Sequence, residues 1–160
     1  MSDLDETIVT TPDLLRLVGM TRANLQQFEN SGAVVPHVRG GSGRRNCHKW
    51  TFLQLVGLAY GKAFLDCGFH CTWAWEACDW VSRQEPGSLV VQFAKGRTLL
   101  CMSPGRAGQG RLIEPKLGMD APREKQVMAA NLNLKTIYER MWRRARAWCG
   151  DLLAQEAENE

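Results

Sequence analysis

Two stretches of this sequence gather side chains capable of chemistry. The first is "GGSGRRNCHKW", residues 40–50, in which three glycines precede Arg44, Arg45, His48 and Lys49. Together with Arg39, the segment from 39 to 49 carries four Arg or Lys residues and no acidic one. Glycine lets a backbone follow a polyanion closely, and arginine and lysine neutralise phosphates, so this composition suits contact with a phosphodiester backbone. A solvated surface hairpin is the alternative, since a charge run by itself is usually a solvated face. The second stretch is "CGFHC", which places Cys67, His70 and Cys71 within five residues, with Cys78 further on. Thiolate and imidazole are zinc ligands, and i, i+3, i+4 spacing gathers them on one side of a helix. The paired Cys-x-x-Cys spacing is absent, however, and buried structural thiols are the simpler reading, so no metal is assigned.

A thiol nucleophile paired with His48 or His70 would need an orienting acid, and none stands at a telling spacing. "GQG" at 108–110 is too short to cradle a phosphate. The chain is therefore read as a non-enzyme without a cofactor.

The composition sets bounds on what surrounds these stretches. The chain has 160 residues, 44% of them hydrophobic and 23% charged, which suits one ordinary domain or two small ones. Its formal net charge is only +3, so any nucleic-acid surface must arise from local clustering. Such clusters occur at 39–49, at 95–111, and at 135–146, where five basic residues face Glu139 alone. The last ten residues are acidic, and 154–160 read as a solvated tail. No apolar run is long enough to span a membrane, and "MSDLDETIV" is unlike a signal peptide. A cytoplasmic location is expected, with the six cysteines reduced.

The elements that must position the basic stretch follow from the pattern. "TTPDLLRLVG" reads as a short helix, capped by Thr11 with Pro12 at its first position, and ended by Gly19. "MTRANLQQFENSG" reads as a second helix capped by Thr21, with Leu25 and Phe28 on its inner face. Two short helices about a tight glycine turn have the form of a helix-turn-helix. "AVVP" is extended, and "NCHKW" returns as a second strand, giving a hairpin with a flexible, positive tip. "TFLQLVGLAYGKAFLDCGF" is a third helix, with capping-box spacing between Thr51 and Gln54. Its Gly57 and Gly61, four apart, suit close approach of another backbone.

The order helix, turn, helix, basic hairpin, helix describes a winged helix-turn-helix. The segments "MTRANLQQFENSGAVVP" and "HKWTFLQLVGLAYGKAFLDCGF" resemble the DNA-binding domain of MerR-type transcriptional regulators. The resemblance covers residues 8–70. Trp50-Thr51 matches the family's aromatic-Thr step into the helix after the wing, Gly32 and Pro36 match the turn after its recognition helix, and "CGF" matches the close of the domain. The resemblance implies that the second helix enters the major groove and that the basic wing grips phosphates. Gln26 and Phe28 stand where the family usually has Arg and Tyr, and His48 stands at the wing arginine. Thr21, Arg22, Asn24, Gln26 and Gln27 are then the expected groove-facing residues, and Arg39, Arg44, Arg45, His48 and Lys49 the wing contacts.

Residues 71–153 are expected to form a second, C-terminal helix-hairpin-helix domain, joined near Phe69 to Thr72. "TWAWEACDWVSRQ" reads as a helix. "SLVVQFAKGRTLLCM" reads as two strands turning at Lys95-Gly96. "RLIEP" and "KQVMAANL" read as further strands. "NLKTIYERMWRRARAWCGDLL" is a long helix in which Leu134, Tyr138, Met141, Ala145, Trp148 and Leu152 follow a coiled-coil-like 4-3-4-3-4 spacing. That seam either dimerises or packs on the chain's own sheet. Tryptophans 73, 80, 142 and 148 fall on periodic apolar faces and read as packing residues. The expected fold class is α+β, a winged helix-turn-helix followed by a small α/β region ending in a long helix. The expected function is a transcriptional regulator binding duplex DNA as a homodimer, with no membrane partner. The alternatives are an architectural DNA-binding factor and a protein-interaction module that has lost DNA binding.

Overall fold

Thr10, not Thr11, opens the first helix. In the computed structural model, which describes residues 8–40, 48–104, 113–118 and 132–158, a short strand β1 (Ile8–Thr10) leads into α1 (Thr11–Val18). Thr10 is extended, and its hydroxyl donates to the Asp13 carboxylate at 2.6 Å. Thr11 lies within the helix because its side chain has a better partner: the buried Oγ1 accepts the Trp50 indole N–H at 3.0 Å. Pro12 follows in the first turn, where a missing N–H costs nothing.

A left-handed Gly19 (φ 74°) ends α1 and its N–H returns to the Leu15 carbonyl at 2.9 Å. Helix α2 (Arg22–Asn30) starts three residues later, with Thr21 Oγ1 accepting the Asn24 N–H at 3.2 Å. Strand β2 (Lys49–Thr51) pairs antiparallel with β1, placing Val9 opposite Trp50. The expected pairing of residues 33–36 with "NCHKW" is replaced by this partner. Only one bridge, Val38 with Lys49, joins the two arms of the loop among the described residues. The reason is burial: Val9 and Trp50 together face the core, whereas Val35 is about half exposed.

Helix α3 (Phe52–Asp66) begins with both halves of the Thr51–Gln54 capping box formed. Helix α4 (Cys71–Ser82) packs against it through the two glycines. A β-carbon on Gly61 would lie 2.6 Å from the Phe28 ring and 2.9 Å from the Ala74 carbonyl oxygen, and one on Gly57 would lie 2.9 Å from the Cys78 carbonyl oxygen. The expected close backbone approach is therefore present, and α4 is the element that makes it.

The C-terminal half departs from expectation at residues 88–102. Instead of two strands there is helix α5 (Pro86–Ala94), a turn through Gly96, and strand β3 (Leu99–Pro104). A short apolar run does not distinguish strand from helix; here Pro86 suits a first helical turn, and Leu89 and Phe93, four apart, are buried on one side. Strand β3 pairs antiparallel with β4 (Ile113–Gly118), which overlaps the strand expected from "RLIEP". The strand expected at 125–132 lies outside the described residues except for Leu132.

The last helix, α6 (Leu134–Glu158), is capped by Asn133, whose Oδ1 accepts the Thr136 N–H at 3.1 Å. Leu134, Met141 and Ala145 are fully buried, and Ile137 and Tyr138 nearly so, without any second chain. The first four seam positions are thus covered inside the protomer, and Trp148 is partly buried. Phe52 of α3 meets the rings of Tyr138 and Trp142 edge-on at 5.3 and 5.6 Å, and Arg144 donates to the Leu17 carbonyl at the end of α1 at 2.8 Å. The Tyr60 hydroxyl donates to the Leu132 carbonyl at 2.7 Å, deep in the interior. One cluster of buried side chains runs from Val9 to Ala145 and crosses the expected junction at Phe69 to Thr72. The result is a helix-rich α+β arrangement, six helices with two two-stranded antiparallel sheets among the described residues. No described helix is long and apolar enough to cross a membrane.

Candidate nucleic-acid interface

Helix α2 divides cleanly between two environments. Leu25 and Phe28 are fully buried, while Arg22, Gln26, Gln27 and Asn30 are exposed. Periodicity explains this: residues three apart share the inner face, and Gln26, Gln27 and Asn30 fall on the other. Asn24 is half-buried on the flank, and Thr21 spends its hydroxyl oxygen on the cap. Three side chains that can pair with base edges or phosphates, Arg22, Gln26 and Gln27, therefore lie on a helix whose position is held from behind.

The segment after α2 is tied down at several points. The Ala33 N–H donates to the Phe28 carbonyl at 3.1 Å, and the Gln54 side-chain amide donates to the Val35 carbonyl. Val38 and Lys49 exchange two backbone hydrogen bonds, at 2.9 and 3.3 Å. The Gly40 N–H donates to His48 Nδ1 at 3.0 Å. His48 therefore closes the base of the loop with one ring nitrogen. That acceptor role places the proton of the neutral ring on Nε2. Its ring also meets the buried Trp50 edge-on, with centroids 6.4 Å apart. Arg39 and Lys49 are exposed on the two arms.

These parts are brought together at one edge. Glu29 of α2, Val34, Val35 and Pro36 share a small cleft with Arg39 and His48. The end of α2 and the base of the loop thus adjoin, while Arg22 sits about 10 Å away along the helix axis, seven residues at 1.5 Å each. Arg44 and Arg45 lie outside the described residues.

The cysteine cluster has a different character. Cys78 is completely buried, and burial pushes its thiol up to about 12 despite a contact with the Ser82 hydroxyl. A thiol held in its protonated form is a poor nucleophile at neutral pH. Cys67 is exposed, and His70 Nδ1 accepts the Thr72 N–H at 3.3 Å as the cap of α4. Among the described residues no group of three or more His, Cys, Asp or Glu side chains is arranged to hold a metal ion.

Reading the sequence missed one set of cations. Lys62, Arg140 and Arg144 come together on the far side of the Gly19 turn. The basic run at 135–146 was visible, but its nearness to Lys62 depends on α6 folding back over α3. No protein-family model matches the chain, and no curated protein matches it.

Proposed function

We propose that this chain is a DNA-binding protein of winged helix-turn-helix type, resembling MerR regulators, that acts on transcription. In this reading α2 enters the major groove of duplex DNA, with Arg22, Gln26 and Gln27 reaching base edges and phosphates. The loop carrying Arg39, Arg44, Arg45 and Lys49 serves as the wing, and His48 holds its base closed. The observation that supports the reading is that the end of α2, at Glu29, shares a cleft with Arg39 and His48 at the anchored base of the basic loop, while Arg22, Gln26 and Gln27 are exposed on the same helix. A groove reader needs this combination: a helix with a polar outer face and a cation-bearing arm beside it.

Readers of this size commonly pair so that two helices meet successive groove segments. The seam on α6 is covered within the protomer from Leu134 to Ala145, so pairing through that part of the helix would need another surface. The apolar groove of about 370 Å³ between α5 and α6, with Val90, Phe93 and Trp142 on its walls, is one such surface among the described residues.

Fluorescence anisotropy with mixed-sequence duplex at several salt concentrations tests the proposal. The wild type is expected to bind with a steep salt dependence. The Arg44→Ala, Arg45→Ala variant is expected to lose roughly 1–2 from the slope of log K against log salt, about 0.9 per phosphate contact. Absence of salt-sensitive binding by the wild type would remove the DNA reading and favour the protein-interaction alternative.

A further inference from the structure

A cleft of about 460 Å³ opens between the end of α1, the middle of α3 and the flank of α6. Lys62 and Asp66 of α3, and Arg140 and Arg144 of α6, form its polar wall, and Gly19 lies at its edge. Three cations therefore face one carboxylate. Cations gathered in a concave surface focus potential and draw in anions.

The local contacts account for only part of this charge. Lys62 pairs with Asp66, an i, i+4 surface pair of the kind that contributes a few tenths of a kcal/mol and exchanges readily. Arg144 donates to the Leu17 carbonyl at 2.8 Å, which also offsets the negative end of the α1 dipole. That bond uses one of five guanidinium N–H groups and fixes the rest in place. Arg140 is exposed and makes no ion pair with another described residue. Among the described residues the site thus holds one oriented guanidinium, one guanidinium outside any ion pair and one exchangeable ammonium.

Its place in the chain decides what it serves. Gly19 belongs to the turn between α1 and α2, and Arg22 follows three residues later, at most about 11 Å away between Cα atoms. A nucleic-acid strand presents a phosphate every ~3.4 Å of helix axis, so a strand that runs from Arg22 past the Gly19 turn spans only a few phosphates before it meets the edge of the cleft. The cleft is open rather than enclosed, and the α1 carbonyls at its edge disfavour a small anion sunk deep within it. A phosphodiester passing across its mouth meets neither objection.

We propose that the Lys62–Arg140–Arg144 cleft clamps a backbone phosphate of the duplex that α2 enters, beyond the segment α2 itself contacts. The proposal rests on the DNA-binding reading above. It makes α6 part of the binding surface and couples the packing of the C-terminal helix to grip on DNA.

The test compares salt slopes on duplexes of about one and about two helical turns, about 10 and 20 base pairs. Lys62→Gln with Arg140→Gln keeps Arg144 on α1 and leaves the core untouched. It is expected to lower the slope on the longer duplex by roughly 1–2 and to leave the shorter one nearly unchanged. Asp66→Asn, which removes the competing carboxylate, is expected to bind the longer duplex more tightly, a gain that misfolding cannot imitate. Unchanged slopes in the Lys62, Arg140 variant, alongside a loss in the Arg44, Arg45 variant, would overturn the clamp and leave the α2 reading standing. No salt-sensitive binding by the wild type would overturn both. Saturable binding of inorganic phosphate by the wild type, lost in the Lys62, Arg140 variant while duplex slopes stay equal, would also overturn the clamp and mark a small-anion site instead.

Discussion

Helix α2 meets the α3–α4 contact through Phe28 on its inner face, and its two faces obey opposite rules. Inside, the Phe28 ring lies against Gly61, where no β-carbon fits and the nearest backbone oxygen belongs to Ala74. Outside, the same helix presents Arg22, Gln26 and Gln27 to solvent with no described side-chain partner required to hold them. One region is fixed by volume, the other by charge and hydrogen-bonding capacity. In the DNA-binding reading proposed above, positioning and recognition fall to different atoms of α2. Changes inside should cost stability, and changes outside should cost binding alone.

The strongest way to break that comparison is Gly61→Ala. A helix interior normally gains about 1 kcal/mol from this change, but here the new methyl group would collide with a ring and with backbone. A net loss of about 1–3 kcal/mol in denaturant unfolding is expected, relieved in part by adding Phe28→Leu. A Gly61→Ala protein as stable as the wild type would show that the contact is looser than its geometry.

Cys78 sharpens the comparison with pH. Its thiol is held near 12 in the folded protein, against about 8.5 for an ordinary thiol in the unfolded chain. The raised value means that the unfolded chain gives up this proton first. The stabilisation is therefore complete below about pH 8.5 and is lost as pH rises toward 12, by up to about 1.4 kcal/mol per pH unit. Thermal melts of wild type and Cys78→Ala should converge above about pH 9. Curves that stay parallel to pH 10.5 would show that the thiol ionises without cost. On the exposed side, Arg22→Ala, Gln26→Ala and Gln27→Ala should each move stability by no more than about 0.5 kcal/mol, while Arg22→Ala weakens duplex binding. A larger stability loss at any of the three would end the division between the faces.

How far the sequence could be read depended on how local each signal was. The caps at Thr21 and Thr51, the stop at Gly19, and the inner faces of α2 and α3 were legible, since each is decided within one or two turns of helix. The cap of α1 was misplaced by one residue because Thr11 is claimed by Trp50, thirty-nine residues away. The run at 88–94 was misread as strand because apolar residues there suit either form, and burial of Leu89 and Phe93 made it a helix. His48 was legible as a polar residue of the basic loop but not as the acceptor that closes it, since its partner Gly40 is brought to it by the Val38–Lys49 bridge.

The seam of α6 shows where the boundary lies. Its apolar spacing was set by sequence, because a helix converts a 4-3-4 order into a stripe whatever surrounds it. What the stripe covers was decided only by the tertiary structure: α6 returns across α3, buries Met141 and Ala145 against the core, and in doing so carries Arg140 and Arg144 to Lys62. Periodicity is a property of neighbours along the chain, whereas the choice of partner belongs to whichever surface leaves the least apolar area in water.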